Sequence, residues 1–220
     1  MNSELGRAPF NSLEKSDDFG GYFDVHKLEN NPNFLVKKFK ETDSLDEEET
    51  AEIAQEIQTY IAASSKTSLL SHMSKGQAVI GESTPGVRTV YVISEKIEGE
   101  KISLEKDKFV LSPEQLSELN EVMIEMIDTY VETFNGQFGL VPEFCGLHNY
   151  LDGVNLNRPE GKKLYFFDNF PIFKKDRRGI YDMIQIMFRR SNINPSYRDA
   201  WLKHLDQKLA EKRHRERATA

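Results

Sequence analysis

The chain has 220 residues, enough for one large domain or two small lobes around a cleft. With 38% hydrophobic and 30% charged residues it can bury a core, and its formal net charge of -7 argues against a general nucleic-acid-binding surface. A single cysteine, Cys145, excludes an intrachain disulfide and a cysteine-built metal site, which fits a reducing compartment.

Residues 1–10 lack the apolar core behind a basic start that marks a secretory signal. No run approaches the roughly 20 apolar residues that span a bilayer. The expectation is a soluble, cytoplasmic protein. Residues 1–18 are polar and read as irregular. From Gly20-Gly21 the pattern turns strand-like through Tyr22, Phe23, Val25 and Leu28, and Asn30-Asn31-Pro32-Asn33 makes a turn into a second strand over 34–39. An acidic run over 43–50 then leads into a helix whose Ile53, Ile57 and Ile61 fall on one face, with acidic residues at its positive end. Residues 77–81 and 88–93 read as strands joined by a Pro85-Gly86 turn.

Residues 96–103 read as a linker. Beyond it, Ser112-Pro113-Glu114-Gln115 opens a helix with the pattern of a capping box and proline at the first helical position. Leu116, Leu119, Met123, Met126, Ile127, Tyr130 and Phe134 continue it at helical spacing, and Gly136 and Gly139 end it. Residues 149–168 read as a hairpin turning at Pro159-Glu160-Gly161, followed by helices over 180–188 and 197–209. The whole is an α+β chain: a sheet-rich half over 19–95 and a mainly helical half over 104–210. A basic tail over 211–220 carries Lys212, Arg213, His214, Arg215 and Arg217, which reads either as a frayed, solvated helix end or as a contact for RNA, an acidic membrane or an acidic partner.

Several segments fall in a telling order. Tyr91-Val92-Ile93-Ser94-Glu95-Lys96-Ile97-Glu98-Gly99 is an apolar strand running into a charged stretch and a glycine. Before it stand Gly20-Gly21 and Leu35-Val36-Lys37-Lys38-Phe39; after it stand Glu143, Asn149-Tyr150-Leu151 and Phe166-Phe167-Asp168-Asn169-Phe170-Pro171. This order resembles the two-lobed protein-kinase-like fold over about residues 19–190, with degenerate motifs. The resemblance implies ATP and magnesium held between a small antiparallel sheet with one helix and a reduced helical lobe. It makes Gly20 and Gly21 a shortened phosphate loop, without the family's three-glycine spacing. Leu35 would touch the base and Lys37 the phosphates, with Lys38 facing solvent, and Glu56 would hold Lys37 in place, with Glu52 as its competitor. Ser94 would back the base pocket. The Glu95 carbonyl and the Ile97 amide would pair with the base edge, leaving the side chains there loosely constrained.

On the same resemblance Asn149 and Asp168 would hold magnesium, and Glu143 would orient a hydroxyl acceptor. Glu143 stands six residues before Asn149 where the family has an aspartate five before, and His148 reads as a packing residue of that loop, with a substitute base as the alternative. The 52 residues after Asp168 (220 − 168) point to a compact relative. The alternatives are an inactive pseudokinase of the same fold and an unrelated α+β protein-interaction module.

Overall fold

The computed structural model describes residues 14–19, 23–28, 31–40, 45–67, 71–84, 86–106, 110–167, 171 and 179–219. They form an α+β fold with four helices and two small antiparallel sheets. The first sheet takes β1 (Glu14–Phe19), β2 (Phe23–Lys27), β3 (Phe34–Phe39), β4 (Gly76–Thr84) and β5 (Val87–Glu95) in the order β1-β2-β3-β5-β4. Between β3 and β4 the chain makes α1 (Glu47–Ser64), which packs on β4 and β5. The second sheet has three strands, β6 (Ile97–Ile102), β7 (Tyr150–Asn155) and β8 (Arg158–Phe166), with β7 in the centre. Helices α2 (Pro113–Thr133), α3 (Ile180–Arg190) and α4 (Pro195–Thr219) complete it.

One face of the first sheet is apolar because alternate residues share a side. Val25 lies opposite Lys37, and Lys37 opposite Val92, so Phe23, Val25, Lys37, Phe39, Val90 and Val92 share that face. Phe23 meets Phe39 edge to face at 5.4 Å, and Ile57 of α1 closes the cluster with Ile53 and Ile61 beside it. Asp46 starts α1: its carboxylate accepts the Glu49 N–H at 2.8 Å, and Glu49 reaches back to the Asp46 N–H. The cap pairs two donors that the helix itself cannot.

The larger core belongs to α2. Leu119, Met123, Met126, Ile127 and Tyr130 meet Trp201, Leu205 and Leu209 of α4, Ile184 and Met187 of α3, and Leu164 and Phe166 of β8. Tyr60 of α1 and Met73 join the same cluster, so the two halves share a core. The capping box expected at Ser112 is present, with Ser112 Oγ accepting the Gln115 N–H at 3.2 Å and Gln115 returning the bond. Among the described residues no helix is long and apolar enough to cross a membrane.

Four expectations change. Glu14–Phe19, within the stretch read as irregular, is strand β1, because antiparallel pairing with β2 supplies the hydrogen bonds its polar residues do not advertise. Most of the expected linker is strand β6, exposed over residues 98–101 yet paired with β7 along its length. The hairpin turns at Leu156-Asn157, and Pro159-Glu160-Gly161 lies inside β8. Residues 210–219 continue α4 without a break, and there Lys212 donates to the Val131 and Glu132 carbonyls at 2.8 and 2.9 Å. Those carbonyls stand at the end of α2, which has no basic residue in its last turn, so α4 supplies the cation the helix end attracts.

Candidate functional site

The clearest long-range polar contact at the predicted positions is made by Lys37. β3 carries it on the face that packs against α1, and only 8% of the residue is exposed. Its ammonium donates to the Phe167 carbonyl at 2.9 Å, across 130 residues of chain. Phe167 is the last described residue before Asp168, and its own N–H donates to the Asn149 carbonyl at 3.1 Å. One residue therefore ties the lysine of the first sheet to the asparagine that enters β7. Lys101 of β6 adds a second cation, with Nζ 5.7 Å from the centre of the Phe167 ring.

Asn149 is buried, with 8% exposed. Its amide nitrogen is directed at the Glu143 carbonyl, 3.4 Å away, and its N–H donates to the Gly146 carbonyl at 3.0 Å. Glu143 is the opposite case. Its carbonyl is built into the loop, also accepting the Gly146 N–H at 3.0 Å, while its side chain is exposed. His148 is exposed too, so the expected packing role fails: the loop turns its ring outward between buried Leu147 and buried Asn149. Leu35 is half-buried on β3, and Lys38 is half-buried rather than open to solvent. Glu56 is half-buried on α1, one turn before Tyr60, which reaches Met73 in the larger core. Gly20, Gly21 and Asp168, assigned to phosphates and metal, lie outside the described residues.

Sequence reasoning missed the side chain of Glu95. It is buried, 8% exposed, and its Oε2 accepts from Arg158 Nη2 at 2.8 Å and Nε at 3.2 Å, and from Asn155 Nδ2 at 2.9 Å. It also accepts the Lys75 N–H at 2.9 Å. The expectation that this side chain is loosely constrained is wrong: a buried carboxylate has to be compensated, and here four donated bonds do it. Arg158 also donates to the Met73 carbonyl at 2.8 Å, so the cluster joins β5, the β7–β8 turn and the segment before β4. Backbone bonds reinforce the join. Lys96 N–H donates to Asn33 O at 2.8 Å, Leu156 N–H to Lys96 O at 3.2 Å, and Asn157 Nδ2 to Asn33 O at 2.8 Å. An acid ending an apolar strand was the only available signal, since the partners lie 60 and 63 residues away.

Ile97 opens β6 opposite Asn155, and Gly99 faces Gly153 across the same ladder. A Cβ on Gly99 would stand 2.5 Å from the Gly153 Cα, so the glycine serves the close approach of two strands. Among the described residues no three His, Cys, Asp or Glu side chains gather to hold a metal ion. Compared with protein-family models and with curated proteins, the chain matches none.

Proposed function

We propose that this chain is a compact protein-kinase-like domain that binds ATP with magnesium between its five-stranded sheet and its helical half. The observation that carries the reading is the buried Lys37 ammonium held 2.9 Å from the Phe167 carbonyl, beside Asp168. A phosphate chain is the anion that a lysine on the third strand of such a sheet serves. Chain order supports the same reading: lysine strand, helix, hinge strand, asparagine, then a hairpin leading to an aspartate.

In this reading Lys37 holds the phosphates. The Glu95 carbonyl and the Ile97 amide hold the base, with Leu35 against its face and Glu56 behind Lys37. Asn149 Oδ1 and the Asp168 carboxylate would hold magnesium, since hard oxygen donors suit it and the Asn149 nitrogen is already turned to Glu143 O. When bound, magnesium neutralises charge building on the phosphoryl group. Glu143 would orient the hydroxyl of an acceptor.

A second reading, binding without transfer, is favoured by one feature: the exposed Glu143 side chain stands on a loop secured through its carbonyl. Phosphoryl transfer depends on positioning.

The test is the melting temperature with ATP, with and without magnesium. A ligand bound only by the folded state stabilises it by about 2.7 kcal/mol at a hundredfold excess over Kd. A magnesium-dependent rise supports the site; no rise at millimolar ATP removes the reading. Transfer of labelled phosphate that is lost in Glu143→Gln would favour the enzyme, and binding without transfer the pseudokinase.

A further inference from the structure

From the Glu82–Arg88 pair to the Gly76–Ser94 pair the β4–β5 ladder is regular. One step further, the Glu95 N–H donates to the Lys75 carbonyl at 2.9 Å. In an antiparallel ladder such a pair exchanges two bonds, so the Lys75 N–H should return to the Glu95 carbonyl. It goes instead to Oε2 of the Glu95 side chain, at 2.9 Å. A carboxylate is a stronger acceptor than a peptide carbonyl. Arg158 and Asn155 hold this one in place, with Nη2 at 2.8 Å and Nδ2 at 2.9 Å from the same oxygen.

We propose that the Glu95 side chain is a positioning residue for base recognition. By capturing the Lys75 N–H it keeps the Glu95 main-chain carbonyl out of the ladder, as the acceptor for the 6-amino group of a purine. This rests on the nucleotide reading given above and sharpens it: the site takes a 6-amino purine and rejects a 6-oxo purine, whose oxygen would face a carbonyl. Arg158 acts through Glu95 by fixing the carboxylate. The residue ends the strand where the chain passes from the first sheet to the second, so one side chain sets the geometry of both the junction and the acceptor.

Two measurements on the full chain test this. The first needs no ligand or variant. The through-hydrogen-bond NMR coupling of the Lys75 amide nitrogen should run to the Glu95 side-chain carboxyl carbon. A coupling to the Glu95 main-chain carbonyl carbon overturns the inference. The second is calorimetric titration with ATP and with ITP. The wild-type chain should prefer ATP by about tenfold, the value of one hydrogen bond. Replacing the ion pair by apolar groups, Glu95→Leu with Arg158→Met, leaves neither charge buried alone and frees the Lys75 N–H for the residue 95 carbonyl; the urea midpoint of the double variant checks that the fold is kept. The preference should then vanish, whereas Glu95→Gln, which keeps an acceptor oxygen, should retain it. A double variant that keeps the full preference overturns the inference. Equal affinity of the wild type for both nucleotides overturns it and leaves the nucleotide reading standing. Binding of neither removes the nucleotide reading, and the inference with it.

Discussion

Two buried charges stand on neighbouring strands. Glu95 is fully compensated by Arg158, Asn155 and a backbone amide. Removing one side of such a pair leaves the other charge buried, so Glu95→Ala should cost about 3–5 kcal/mol in urea denaturation. Replacing both partners by Leu and Met should recover part of that loss, since the buried Asn155 amide still loses its acceptor. Lys37, buried on the neighbouring strand, donates its ammonium to the Phe167 carbonyl. On the nucleotide reading, Lys37→Met should abolish the ATP-induced shift in melting temperature. A lysine that serves the fold alone would leave that shift in place. Sequence could single out Lys37 because a lysine between Leu35 and Phe39 interrupts an apolar strand face. It could not single out the Glu95 side chain, whose partners come from a hairpin 60 residues on.

The elements themselves were legible where their signals are local. Ser112 and Gln115 cap α2 as their spacing requires, and Ile53, Ile57 and Ile61 present one face of α1 to the sheet. Strands β1 and β6 were not legible, because polar or charged residues at a sheet edge carry no apolar alternation and form only when a partner strand arrives. The Gly99–Gly153 pair belongs to this scale. Gly99 reads in the sequence as the glycine after a hinge, yet it sits mid-strand where a Cβ would meet Gly153 Cα at 2.5 Å. Gly99→Ala forces the strands apart and should cost about 1–3 kcal/mol, measured as a lower urea midpoint with an unchanged slope.

At the scale of the whole molecule, the turn that follows α1 is joined to the end of α2 by an ion pair with a definite pH signature. Lys66 donates to Glu132 at 2.9 Å, and this bond first, then the lysine charge, holds the Glu132 carboxyl below its ordinary value. A carboxyl depressed in the folded state contributes stability above its unfolded pKa, near 4.5, and loses it as the pH falls through the folded value. Glu132→Gln should therefore flatten the acid limb of the stability curve below that pH. The Glu132 side chain is 49% exposed, so the change should stay within about 1 kcal/mol and shrink in salt. Unfolding followed from neutral pH down to pH 3 checks it.

The sequence by itself determined the α+β class, the apolar faces of the main helices, both halves of the α2 cap, and the order of lysine, acid, asparagine and aspartate along the chain. These depend on periodicity and on contacts within a few residues. Only the tertiary structure decided that Phe167 joins Lys37 to Asn149, that β6 is a strand, that α4 caps α2 through Lys212, and that Glu95 turns inward to Arg158. Each of these is a polar group finding a partner far along the chain. No local rule encodes such a partner, because it is the packing of the apolar core that brings the two within hydrogen-bonding distance.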